Sequence, residues 1–509
     1  MGILNNYYLS SFLWSTFAKV LNAVFSFISV PLLLGYFGKA DYGIISIATA
    51  CNGYMHLLDL GMNTGAVKFF SQWKAEGNTS LSLRVAHTNI TFYFIIAIIY
   101  AVLLIALAIW GEPLFSIDHE QFLVLRKCLY VLAIMSVLSW SATPFNQLLI
   151  ADKQMVYTQQ VQCFQILLKI LLVVFVLLRH LTLLEYFAGL TLIISILTIP
   201  YSIRCVKSKL IDNLLPGFHW KDFRVVLTFS LSIFALSLFQ TTATQSRPIL
   251  LSMFALNGAN AVTDFRVIES FPALIITIGG TFSSIFLPQA SEMVAKKDQK
   301  AIETFAYDWT LLTTVLANVL CVPFMLCAKE VLIAYVGDEY ANLSIWLIIW
   351  CVSVLLQIHT TPGNSLVLAS GKTKLLVICT AVFCVISMGI NILLAKKIGV
   401  GSAVIGYAIY VLLVIGMYYI VFYRRLLNLS RLRMLKSFLI PTVLSIMILI
   451  LTSLIPLNPQ WFTSLNSRLA NLLTCIIKTI IWLVPYIVLL KTLKVFDLKT
   501  IKRYDDMSR

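Results

Sequence analysis

Charge is scarce in this chain. Only 12% of its 509 residues are charged and 22 are acidic, against 60% hydrophobic residues and a mean hydropathy of +0.90. Those proportions exclude a soluble globular domain. Long connections are lacking too: the longest, near 66–88 and 204–225, hold about twenty residues, too few for a separate soluble domain. Ten cysteines stand singly, without CxxC spacing, which argues against zinc sites or a disulfide framework and for small apolar fillers. No Walker motif offers nucleotide-driven work. No basic leader precedes a short apolar core, since the first basic residue is Lys19, so the first hydrophobic stretch is expected to stay in place.

What is present is a series of about fourteen hydrophobic stretches. Each is close to the twenty residues of helix that a bilayer core requires, and twice the length of a membrane-barrel strand. The predicted fold is therefore an all-α polytopic membrane protein of about 14 transmembrane helices. The weakest spans are the seventh and eighth, near 226–256 and 261–287, where Arg247, Asp264, Arg266 and Glu269 interrupt the apolar run. If both termini are cytoplasmic, 25 of the 38 Lys and Arg fall on the inner side, 8 on the outer side and 5 inside spans, the bias expected of that orientation. The net charge of +16 is largely this bias, so nucleic acid is not an expected partner.

Several spans carry polar stripes at helical spacing. The first reads Ser15, Lys19, Asn22, Ser26, Ser29, and the second reads Thr49, Asn52, His56, Asp59, Asn63. Steps of three and four keep each set on one face, and hydrocarbon cannot satisfy such a face. The seventh span carries Ser237, Gln240, Thr244 and Arg247, and the eighth Arg266, Ser270, Thr277, Thr281 and Ser284. Spans one, two, seven and eight occupy corresponding places in two six-helix halves. A faint echo at an offset of 217 residues, Leu32-Leu33-Leu34 against Ile249-Leu250-Leu251, agrees. The expected division is 1–210 (spans one to six), 211–425 (seven to twelve) and 426–509 (two further spans and a basic tail). Two lobes related by an axis along the membrane normal, facing a hydrated cleft, complete the expectation.

Each intramembrane charge has a structural and a functional reading. Lys19, about 12 Å along its helix, either snorkels to the headgroups or serves the stripe it belongs to. Asp59 is its ion-pair partner or an ion site, and His56 a relay neighbour or a packing residue. Arg247 and Arg266 either form a ladder with Asp264 and Glu269 or present guanidinium forks to an anionic group. Lys169, on one face with Gln162 and Gln165, is a further cavity cation; Lys478 is read as half of a buried pair or a lipid-head contact. Ser136, Ser139, Thr143 and Asn146 of the fourth span suit sugar hydroxyls or plain helix contacts. Five cations against Asp59, Asp264 and Glu269 lean the interior toward anions.

Two runs carry a family likeness. Leu34-Gly35-Tyr36-Phe37-Gly38-Lys39-Ala40-Asp41-Tyr42-Gly43, followed by Leu57-Leu58-Asp59-Leu60-Gly61-Met62, resembles the opening of Wzx-type polysaccharide flippases. Those belong to the multidrug/oligosaccharidyl-lipid/polysaccharide (MOP) exporter superfamily. Tyr335-Val336-Gly337-Asp338-Glu339-Tyr340 and Ile398-Gly399-Val400-Gly401-Ser402-Ala403 resemble that superfamily's loops before spans ten and twelve. The resemblance implies a MATE-like pair of lobes in a bacterial inner membrane. It also implies translocation of undecaprenyl-pyrophosphate-linked oligosaccharide by alternating access, for O-antigen, lipopolysaccharide or another surface polymer. Basic cavity residues of relatives put Lys19, Arg247 and Arg266 forward for the linker or sugar acids. Implied partners are the lipid-linked sugar, membrane lipid, H+ or Na+, and polysaccharide polymerase and chain-length proteins; no cofactor is implied. By analogy of fold alone, spans thirteen and fourteen offer the lipid tail a groove.

Two rivals remain at this stage. A MATE-like multidrug antiporter would use Asp59 or Glu269 to exchange H+ or Na+ for drug. A membrane polymerase or ligase would need a sizeable outer loop bearing catalytic groups, and the outer connections are short.

Overall fold

Helix formation here is dictated by hydrocarbon, which leaves backbone polar groups no partner but each other. The structure, a computed structural model, describes residues 2–59, 61–371, 374–457, 466–493 and 495. The side chains of His56, Ser237, Gln240, Thr281 and Ser284 lie outside the described set. All regular structure among the described residues is helical, and eleven helices are long and apolar enough to cross a membrane. The other three expected spans fall on the helices that carry the polar stripes, so fourteen crossings stay a proposal.

By contact the chain groups into two units, Met1–Thr263 with Ala395–Gly399, and Asp264–Leu394 with Val400–Arg509. The first holds α1 (Gly2–Phe37), α2 (Lys39–Met55), α3 (Met62–Ala75), α4 (Thr79–Trp110), α5 (His119–Trp140), α6 (Ala142–Ala151), α7 (Met155–Arg179), α8 (Leu183–Ser195), α9 (Thr198–Lys207) and α10 (Trp220–Phe254). There α10 packs on α2, α3 and α4. Grouping by contact is a different division from the repeat division at 210, which concerns sequence correspondence.

From the joint onward run α11 (Gly258–Lys296), α12 (Gln299–Leu326), α13 (Ala328–Tyr335), α14 (Ser344–Ile358), α15 (Thr361–Ala369), α16 (Lys374–Ile398), α17 (Val400–Met417), a π-helix Tyr418–Leu426, α18 (Arg431–Ser453) and α19 (Ser467–Thr492). Within this second unit α12 packs on α14 and α18, and α13 on α19.

Helix starts follow capping chemistry. Thr182 and Glu185 form a capping box at α8, and the side chains of Asn78, Asp298 and Ser430 accept backbone N–H groups at α4, α12 and α18, satisfying donors that the first turn leaves open.

Several spans are interrupted where continuous helices were expected. The fourth turns at Ser141 between α5 and α6, the sixth at Ile196-Leu197 between α8 and α9, and the tenth at His359-Thr360 between α14 and α15. Each resumes with a proline in its first turn: Pro144, Pro200 and Pro362. Proline has no N–H to continue the preceding ladder but fits a new first turn. The second span breaks as well, through a 3-10 turn His56–Asp59 and Gly61 at φ 71°.

Candidate functional site

In α1 two faces reach the surface, and they are opposite. Leu13, Phe17, Val20, Val24, Ile28 and Leu32 are exposed on one; Lys19, Asn22 and Ser26 are exposed on the other. At about 100° per residue the centres of these sets lie roughly half a turn apart. The apolar face suits lipid. The polar one, which lipid would strand, requires water. Among the described residues Lys19 makes no ion pair or hydrogen bond, so its ammonium is available to a ligand.

The second span makes the same point by contrast. From Tyr42 to Cys51, α2 is buried at every position except Thr49. Beyond Thr49 come half-buried Asn52, half-buried Asp59 and exposed Asn63, so the described members of the predicted stripe are all accessible. Asn52 Oδ1 accepts the Tyr100 hydroxyl at 2.6 Å. Asp59 accepts the Tyr93 hydroxyl and, at 3.2 Å, the Asn63 N–H that opens α3. Tyr93 in turn accepts Gln147 Nε2 at 2.7 Å, and Gln147 Oε1 accepts Asn89 Nδ2 at 2.8 Å. Tyr93, Gln147 and Asn89 are fully buried. This chain of donors ends on the Asp59 carboxylate.

A cavity of about 180 Å³ with a mixed lining lies within the first unit where the spans break. Ser136, Ser139 and Thr143 come from around the α5–α6 turn and Thr191 and Ser195 from the end of α8; Asn52, Asn146 and Gln162 add neutral amides among apolar side chains. Asn146 Oδ1 is buried with no hydrogen-bond partner among the described residues. Irregular backbone at membrane depth is tolerated where it lines such a space. Carbonyls, hydroxyls and amides without charge can hold water or sugar hydroxyls. Sequence reasoning named the fourth-span hydroxyls but missed the breaks that gather them; the signal was Pro144 and Pro200.

The remaining predicted residues are placed differently. Arg247 is only 6% exposed and its Nε donates to the Ala243 carbonyl at 3.2 Å, whereas Thr244 on the same helix is exposed. Lys169 is half-buried, and its neighbour Gln165 serves the open end of α8, donating to the Ile193 and Ile194 carbonyls at 3.3 and 3.4 Å. In the second unit Arg266 meets Glu269 at 2.6 Å on its own helix, the ladder alternative. Lys478 pairs with Glu330 at 2.5 Å. His56 and Gln240 lie outside the described side chains. Lys19 and Asn22 on α1, Asn52 on α2, Asp59 in the turn that follows it and Asn63 on α3 are thus accessible polar positions of the first unit, and of these Asn52 lines the cavity.

Comparison with known proteins follows the same line. The model of the polysaccharide biosynthesis protein family matches residues 8–294, more than half of the chain. No curated protein sequence matches. Among solved structures, the lipid II flippase MurJ in an inward closed conformation aligns at TM-score 0.70 and 12% identity, over 94% of this chain and 98% of that one. An inward-facing multidrug resistance MATE family transporter of the MOP superfamily aligns at 0.65 and 12%, over 79% and 92%. A Vibrio cholerae MATE transporter aligns at 0.59 and 12%, over 85% and 99%. At such identities the likeness is one of fold.

Proposed function

The chain belongs to the polysaccharide biosynthesis protein family and has the fold of MOP-superfamily transporters; from that premise we propose that it flips undecaprenyl-pyrophosphate-linked oligosaccharide across a bacterial inner membrane by alternating access. The product serves O-antigen or another surface polysaccharide. The observation that carries this reading is the water-facing stripe of α1, with exposed Lys19 and Asn22 set opposite the lipid face. A sugar head with an anionic linker cannot cross hydrocarbon, while its lipid tail need never leave it. A cation at a polar face offsets the linker's lost hydration. Neutral hydroxyls and amides of the first-unit cavity offer sugar groups hydrogen bonds without charge.

Asp59 has the role of coupling residue, binding H+ or Na+, because it joins an accessible position to a buried donor chain. Its location at the break of the second span means that protonation also loosens the acceptor for the first turn of α3.

The test is charge reversal in a strain whose surface polymer depends on this chain. Lys19→Glu is expected to lower polymer display about tenfold or more, with the protein still present in the membrane, while Lys19→Arg retains display. Unaltered display with Lys19→Glu, together with a change in drug efflux, would turn the assignment to a multidrug antiporter. In the same assay Asp59→Asn should reduce display at neutral pH; full activity in that variant removes Asp59 from coupling.

A further inference from the structure

The end of the π-helix and the start of α16 meet at one membrane face. Candidate spans Lys374–Ile398 and Val400–Leu426 run in opposite directions, so the first residue of one and the last turn of the other share a level. Between them lies an open cavity of about 600 Å³, within the range of small-molecule sites. Its walls are aliphatic, Leu375 and Ile378 from α16 and Val421 and Leu426 from the π-helix, with Phe422 at its floor. Leu375 and Ile378 are 43% and 51% exposed. Its rim carries two cations, Lys374 and Arg425.

The π-turn explains the shape. In an α-helix residues five apart point about 140° away from each other; winding that closes hydrogen bonds five residues apart brings them nearer to one face. Val421 and Leu426 therefore both line the groove. The wide turn is held from inside by Tyr418, whose hydroxyl donates to Asn364 Oδ1 at 2.8 Å, and by buried Tyr423 beneath Gly363, where an added Cβ would come 2.7 Å from the ring.

The cations at this end are not equivalent. Arg431 donates to the Ile420 carbonyl, and Arg433 faces Glu303 at 3.9 Å and lies over the Tyr307 ring. Lys374 and Arg425, by contrast, make no ion pair or hydrogen bond among the described residues. Two uncommitted cations at the headgroup level beside an aliphatic groove open to the bilayer match one ligand chemistry: a phosphate ester joined to acyl chains. We propose that the groove between the first turns of α16 and the end of the π-helix binds an anionic diacyl phospholipid, its phosphate on Lys374 and Arg425 and its acyl chains along Ile378 and Val421. The site belongs to lipid of the surrounding leaflet and is independent of the transported substrate.

Native mass spectrometry of the purified full-length protein tests this with phosphatidylglycerol and phosphatidylcholine of identical chains. The wild type is expected to retain phosphatidylglycerol in preference. Lys374→Gln with Arg425→Gln should cut that retention about tenfold, and Ile378→Asn should cut it without a change of charge. Lys396→Gln with Lys397→Gln, at the opposite end of α16, should leave it unchanged. Equal retention of the two lipids, or undiminished retention in the double glutamine variant, overturns the proposal. Displacement of phosphatidylglycerol by millimolar inorganic phosphate also overturns it, since the site would then recognise the anion alone.

Discussion

Lys478 and Glu330 approach to 2.5 Å with side chains 14% and 17% exposed, so each is the other's principal solvation. Deleting one leaves a charge in a low-dielectric surround, a loss of about 3–5 kcal/mol, whereas replacing both by apolar groups is often neutral. Lys478→Ala is therefore expected to lower the thermal midpoint of the detergent-purified protein clearly. Lys478→Met with Glu330→Leu should recover most of the loss. A single alanine variant that melts with the wild type would refute the pair's structural role. Lys19 stands at the other extreme, exposed and uncommitted, on a face that water must reach. The lack of a polar stripe around Lys478 already set it apart from Lys19 in sequence, but its partner, 148 residues away, was named only by the fold. Arg247 is different again: it is 6% exposed, and its Nε donates to a carbonyl of its own helix.

At the level of elements, the second span depends on one residue. Gly61 adopts φ 71°, and a Cβ there would also meet the Ser230 carbonyl at 2.7 Å. Left-handed backbone disfavours side chains, and a backbone oxygen of α10 cannot swing aside. Gly61→Ala is thus expected to lower the thermal midpoint or the yield of folded protein, while Gly35→Ala, with nothing within 4 Å, should be neutral or slightly stabilising. Equal behaviour of the two variants in a melting assay would contradict the break as described. The helical stripes were legible in sequence because 3.6-residue periodicity is a local property. The breaks were less so: a proline in a first turn and a proline inside a helix look alike until the turn before it is seen, as Pro248 within α10 demonstrates.

For the whole molecule, accessibility provides the decisive measurement. The ten native cysteines are buried or half-buried, so introduced thiols report cleanly. Asn22→Cys is expected to react with a water-soluble maleimide and Ile28→Cys, exposed on the lipid face, to react far more slowly, since thiolate forms in water. In intact spheroplasts Asn342→Cys should be labelled from outside and Glu76→Cys only after permeabilisation, as the basic bias predicts. Labelling of both thiols from outside would reverse the orientation, and equal rates at positions 22 and 28 would remove the hydrated face of α1.

Composition and periodicity by themselves determined the class of this protein, a bundle of membrane helices, and the face of each helix that lipid could not accept. Both are consequences of transfer from water to hydrocarbon, which acts on every residue wherever its neighbours lie. The opening motifs added the family, which the family model bears out. Tertiary structure alone decided which charges meet a partner. Lys478 and Arg266 meet Glu330 and Glu269 and Arg247 Nε meets a helix carbonyl, while Lys19, Lys374 and Arg425 make no ion pair or hydrogen bond among the described residues. The reason is physical: the worth of a buried charge is set by the few ångströms around it, and only folding brings those neighbours together.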